Sequence, residues 1–222
     1  MTPPGPELVA RDEDGFTLST LVWRLASPMR CVSTAAVGGG FLDAGWVVNA
    51  QVPKAYDRSD VEAHGAELAA ALGLPGAGVV MLTAVDVRAH HPASFEGAGV
   101  TATVGISDPT WAADPTETST RMRTAVPGTV NVVVTLPEPL LPAALVNVVA
   151  TVTEAKCQAF ADFAVPGTGT PSDAVTVICP AGKEGHPYGG PRSLWGARAA
   201  CAAYDAITAG LRSGRAREAG TC

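Results

Sequence analysis

The segment from Gly128 to Cys179 constrains the fold more than any other stretch of the chain. It opens with GTVNVVVTL, where five of the six residues from Val130 to Thr135 are β-branched, the composition of a strand buried on both faces. Pro137, Pro139 and Pro142 stop it. Apolar residues then recur at helical spacing from Leu141 to about Phe163, and PGTGTPSD leads into a second β-branched run, Ala174 to Cys179. The order strand, helix, loop, strand predicts a βαβ unit at 129–179, with its two strands parallel and joined by a right-handed crossover.

At about 100° per residue, Leu141, Leu145, Val148, Val152, Ala155, Ala159 and Phe163 form one stripe of that helix, expected to lie on the sheet. Asn147, Thr151, Glu154 and Gln158 form a polar ridge opposite, which reads either as a solvated face or as a working one. Lys156 sits beside the apolar stripe and must snorkel or meet a partner.

The rest of the composition extends this picture. Hydrophobic residues make up 47% of the 222 and charged residues 16%, with few aromatics, so the core is built mostly from Val, Leu and Ala, which favours helices layered on a sheet. The expected fold is α/β: a single layered domain over 1–212, with a mixed, largely buried sheet and about three main helices, and a disordered tail over 213–222. A net charge of -6 without a basic cluster beyond Arg212, Arg215 and Arg217 argues against nucleic acid as a partner. Five scattered cysteines without CxxC spacing read as reduced thiols of a cytoplasmic protein. The N-terminus lacks the basic and apolar segments of a signal peptide, and no run approaches the roughly 18 apolar residues of a membrane span. A soluble protein with no membrane partner is expected, and a homo-oligomer is left open.

Along the chain, residues 1–14 read as a loose leader. Phe16 to Leu25 and Met29 to Val37 read as two strands of a hairpin turning at Ser27 and Pro28. Gly38, Gly39 and Gly40 follow Ser33 and Thr34, either as a loop that approaches a ligand or as a flexible turn before the strand Trp46 to Val52. Ser59 and Glu62 form a capping box for a structural helix ending at Gly73 and Pro75. Val79 to Val87 is a buried strand whose C-terminal Asp86 stands either at a ligand edge or as a cap. His90 and His91 point oppositely and have no third ligand at a metal spacing, so neither metal nor cofactor is expected. Gly99 to Ser107 is a strand, followed by a loop, Asp108 to Thr124, long enough to be a lid with Trp111 at its tip. The last helix runs from about Ser193 to Leu211, with Ala197, Ala200, Tyr204, Ile207 and Leu211 on one face.

For the amide hydrolysis that a family resemblance in the motifs quoted next implies, the chain needs a base for water or a nucleophile, donors for the oxyanion and an acid for the leaving amine. From the polar groups expected at strand ends, the candidates are Glu154 as base and acid, Asn131 and Lys156 as carbonyl or oxyanion contacts, and Thr168, Thr170 and Asp173 on the glycine-threonine loop. No Ser/His/Asp or Cys/His spacing stands out. Activated water leads, with a Ser33 or Thr34 nucleophile second.

GTVNVVV, TVTEAKCQAF and GTGTPSDAVTV, together with STA at Ser33 to Ala35, the VN and Pro of VVNAQVP, MLTAVDV, VGISDP and YGGP, occur in an order and at separations that resemble the adenosylcobinamide amidohydrolase family, the archaeal-type corrinoid salvage enzymes. The resemblance spans roughly residues 30 to 210. It implies that aminopropanol is removed from adenosylcobinamide, a corrinoid substrate, to give adenosylcobyric acid in cobalamin salvage. The motif positions it carries over are Ser33, Thr34, Asn49, Asp86, Asn131, Thr153, Glu154, Lys156, Thr170, Asp173, Tyr188 and Gly190. RSLWG after YGGP departs from the hydroxyl, acidic residue and LG usual in relatives, which bears on substrate preference. The competing readings are a corrinoid-binding or carrier protein, and a nucleotide-dependent transferase with phosphate at Gly38 to Gly40 or Gly167 to Thr170.

Overall fold

The computed structural model describes residues 5–115 and 128–219. The chain begins with strand β1 (Glu7–Glu13), antiparallel to the first half of β2 (Phe16–Ser33). Of the supposed leader, residues 1–4 lie outside the described residues, while Glu7–Glu13 form an ordered strand. Its turn is Asp14-Gly15, both at positive φ (50° and 81°), the Asp-Gly pair that a tight two-residue hairpin calls for.

The expected hairpin at Ser27 and Pro28 does not form. β2 is one strand of 18 residues, and Ser27-Pro28 lie in the irregularity where pairing with the next strand skips from Arg24 to Met29. A bulge leaves residues without ladder partners, so a proline that cannot donate is tolerated there. β3 (Gly40–Gln51) follows, and Ser33 pairs with Gly40 across the connection. Gly38 turns at φ 69°, and a Cβ there would meet the Gly78 carbonyl at 2.1 Å, so both the dihedral and the space require glycine.

Helix α1 (Val61–Ala71) starts from Asp60 with no side-chain cap. The Ser59–Glu62 capping box is absent because Asp60 instead receives the Arg58 guanidinium at 2.7 and 2.9 Å; this pairing pulls its carboxyl down to about 2. Next come β4 (Gly78–Thr83), a 3-10 turn at Val87–Ala89, the hairpin β5 (His91–Phe95) and β6 (Ala98–Val104), and then β7 (Val130–Thr135), α2 (Pro142–Asp162), β8 (Ala174–Cys179) and α3 (Leu194–Ala219). α3 continues through residues 213–219, where a tail was expected; residues 220–222 and the part of the Trp111 loop from 116 onward lie outside the described residues.

The strands form one mixed sheet in the order β4-β3-β2-β8-β7-β6-β5, with β1 beside β2. β7 and β8 are parallel, as the βαβ reading requires, and so are β3 and β4. One face packs Val132, Val134, Val175 and Val177 against Leu145, Val148 and Val152 of α2 and Trp195, Ala203 and Ile207 of α3. On the same face α1 covers Val22, Trp46, Val48 and Val80 with Leu68 and Leu72. Leu21, Trp23, Val47, Met81, Val133 and Ile178 form a second core on the other face. Each such fully buried side chain contributes about 1.5–3 kcal/mol.

Two helix faces differ from the expected ones. On α2, Phe163 packs against the core only partly buried while Phe160 is buried fully, and Thr151 of the polar ridge is buried as well. On α3 the inward stripe is Trp195, Ala199, Ala202, Ala203, Ala206, Ile207 and Leu211. Alanines surround this helix, so its sequence carries too weak an asymmetry to select one face.

Candidate active site

In a flat sheet β3 and β6 would stand four strands apart, about 19 Å at the usual ~4.8 Å spacing. Yet Asn49 Nδ2 on β3 donates to Thr103 Oγ1 on β6 at 3.0 Å, and Asn131 Nδ2 on β7 donates to Asn49 Oδ1 at 2.9 Å and to the Leu82 carbonyl on β4 at 3.2 Å. The sheet therefore curls until its second face closes on a polar knot. Both Asn131 amide hydrogens are used, which fixes the orientation of the side chain. Its Oδ1 is buried and has no partner among the described residues, at a cost of about 1–3 kcal/mol.

Asn131 lines a cavity of about 300 Å³, with Thr34, Met81, Leu82, Ser172 and Asp173 among the other walls. Leu82, Pro171 and Ser172 continue into a neighbouring groove of about 310 Å³ that adds Thr83, Thr129, Lys54 and Tyr56. That groove shares Val52, Pro53, Lys54, Tyr56 and Ala84 with a third, of about 570 Å³. Together they make one long cleft across the C-terminal ends of β3 and β4 and the N-terminal ends of β7 and β8.

Asp173 closes one side of the cleft and is saturated with donors. It accepts from Val130 N at 2.8 Å, from Thr170 N at 3.0 Å, from the Thr170 hydroxyl and from Lys156 Nζ. Lys156, 8% exposed, thus meets a partner on the loop and is spent there as an anchor, tying α2 to the start of β7. Gly169 is required beside this pair, because a Cβ would stand 2.7 Å from both charged groups.

Ser33 and Thr34 sit at the end of β2. Ser33 Oγ lies 2.8 Å from Thr176 Oγ1, which donates onward to Met81 Sδ, and it accepts from Ala35 N at 3.1 Å. Thr34 Oγ1 accepts from Val175 N at 2.9 Å. Among the described residues neither hydroxyl is hydrogen-bonded to an imidazole, amine or carboxylate, the partners that activate such a nucleophile.

Other motif residues lie elsewhere. Glu154 lines a separate groove of about 370 Å³ between α2 and α3, with Phe95, Thr151, Gln158, Cys201 and Tyr204, and this groove shares no lining residue with the cleft. Thr153 is exposed and bonds back to the Val149 carbonyl of its own helix. Tyr188 is 74% exposed. Gly190 offers its carbonyl to Ser193 N and Oγ at the start of α3. Asp86 caps the 3-10 turn through Arg88 N at 3.0 Å and binds the Arg88 guanidinium, which holds its carboxyl below the usual aspartate range. That is the cap reading of this residue.

The structure thus gathers Ser33, Thr34, Asn49, Asn131, Lys156, Thr170 and Asp173 at one end of the sheet, and leaves Glu154, Thr153, Tyr188 and Gly190 on the helical side. The cleft also contains candidates that the sequence reading passed over: Lys54, Tyr56, Thr83, Thr129 and Ser172. For Lys54 and Tyr56 the signal was the segment VPKAY directly after the C-terminal end of β3, the edge where ligands collect on α/β sheets.

A family model described as adenosylcobinamide amidohydrolase matches residues 5–219. A protein of Halobacterium salinarum (strain ATCC 700922 / JCM 11081 / NRC-1) named adenosylcobinamide amidohydrolase is 38% identical over 139 residues, which cover 60% of this chain and 58% of that one. The match spans less than two thirds of that relative's length.

Proposed function

The chain belongs to the adenosylcobinamide amidohydrolase family, and from that premise we propose that it hydrolyses the amide joining aminopropanol to the corrin of adenosylcobinamide, giving adenosylcobyric acid in cobalamin salvage. The observation that carries this reading is the long cleft. A corrin is a broad, mostly apolar plate fringed with amides, and its site needs apolar walls with neutral donors and acceptors on the rim. Val52, Pro53, Leu82, Ala84 and Pro171 supply the walls, and Thr83, Thr129 and Ser172 supply the rim.

The orphan Oδ1 of Asn131 accepts a hydrogen bond from a substrate N–H and thereby positions the amide. Lys54 lines both outer parts of the cleft, and its ammonium balances the oxyanion that forms as water adds to the carbonyl. Asp173 takes no part in proton transfer, since its four donors hold it as an anchor.

Incubating the purified protein with adenosylcobinamide should release aminopropanol, read by mass spectrometry. Binding of cobinamides without any cleavage would instead make this a corrinoid carrier. No helix among the described residues is long and apolar enough to cross a membrane.

A further inference from the structure

We infer that Tyr56 is the proton-transferring residue of the cleft, driven by a relay through the buried His64 to Glu13; this rests on the amidohydrolase reading above. Tyr56 follows β3 and lines the two larger parts of the cleft. Its hydroxyl lies 2.8 Å from Nδ1 of His64, in the first turn of α1, and that imidazole is 1% exposed. On the far side of the ring, Nε2 has no in-line acceptor but stands 2.9 Å from Glu13 Oε1 at the end of β1. Glu13 is held in turn by Arg11, whose Nε and Nη2 reach Oε2 at 3.0 and 2.9 Å.

The arrangement sets the direction of proton flow. An anionic carboxylate 2.9 Å from Nε2 favours the tautomer with its hydrogen on that nitrogen, which leaves Nδ1 as the acceptor of the tyrosine proton. Burial pushes the Tyr56 phenol above its ordinary value; Arg58 pulls it down, while Asp60, Glu13 and Glu67 push it up. Alone the phenol would stay protonated, so it needs an adjacent base. The buried imidazole of His64, hydrogen-bonded to Tyr56 at Nδ1 and close to the Glu13 carboxylate at Nε2, supplies one.

The steps balance within the substrate and one water. Tyr56 passes its proton to His64 Nδ1, and the imidazolium is stabilised by the Glu13 carboxylate. The phenolate oxygen takes a proton from the attacking water as the water oxygen bonds to the amide carbon. When the C–N bond breaks, Tyr56 gives that proton to the leaving nitrogen and recovers its own from Nδ1. The products are the carboxylic acid and the amine, and the relay returns to its starting state.

The test compares aminopropanol release, adenosylcobinamide affinity and thermal midpoint in the full-length protein and three variants. Tyr56→Phe should lower kcat by about 10²-fold with affinity and midpoint near wild type. Glu13→Gln should lower kcat by about tenfold, and it serves as the second arm because His64 is packed in the core. His64→Gln should lower kcat by a factor similar to Tyr56→Phe while adenosylcobinamide affinity stays near wild type. Wild-type kcat in both Tyr56→Phe and Glu13→Gln would overturn the relay while leaving the proposed function intact. A wild-type protein that never releases aminopropanol sinks that function, and the relay with it.

Discussion

The cleft around Asn131 and the groove around Glu154 draw on the same short helical motif, TEAK, and differ in everything else. Glu154 and Lys156 are two residues apart on α2, hence about 200° apart around its axis, and they reach different regions of the molecule. Lys156 is buried against Asp173 on the cleft side; Glu154 is exposed in the groove facing α3. A cluster of polar residues in sequence is therefore no evidence of a cluster in space when a helix carries it. The charged pair in such a motif serves two regions, and in this chain one member anchors the fold.

The sharpest way to break this comparison is to remove the anchor. Asp173→Ala should leave Lys156 buried and uncompensated and free the Thr170 loop, a loss of about 3–5 kcal/mol. In a protein of this size the thermal midpoint would fall by on the order of 10 °C. A midpoint within a degree or two of wild type would mean that Asp173 is not the anchor, and its carboxylate would return as a catalytic candidate.

Second in size is the effect on turnover. Asn131→Ala removes the orphan acceptor and should cut aminopropanol release by about 10²-fold, whereas Glu154→Gln should leave it within about twofold. The opposite pattern would move the chemistry to the helical groove and restore Glu154 as the base.

The smallest expected effect marks the groove itself. Cys201 is exposed and lines it, while burial pushes the Cys31 thiol up to about 12. Iodoacetamide at neutral pH should modify Cys201 and spare Cys31, as read by peptide mass spectrometry. Turnover should survive modification at Cys201. Its loss in step with alkylation would count against a cleft-only site.

Much of the fold was legible in the chain because its signals are local. The β-branched runs at Val130 to Thr135 and Ala174 to Cys179 mark strands buried on both faces, and the period between them marks the helix. Errors fell where a local signal has two structural outcomes. Ser27-Pro28 reads as a turn, but in a strand of 18 residues it is equally at home in a bulge. Asp14-Gly15, the real turn, lies at the edge of a segment whose acids and prolines suggested disorder. In the site, Lys156 was recognised as needing a partner, but the partner's identity was not legible. Tyr56, His64 and Glu13 carry no shared motif at all.

By itself, then, the sequence determined the βαβ unit of this protein: the buried strands β7 and β8, the helix α2 between them, and that the two strands run parallel. These depend on neighbours a few residues apart, where backbone geometry allows few answers. The tertiary structure alone decided that Asn49 and Asn131, 82 residues apart, share a hydrogen bond, and that β1, the loop after β3 and α1 bring Glu13, Tyr56 and His64 into line. Sheet curl is the sum of many small strand twists, and no single residue encodes the sum. The site belongs to that sum.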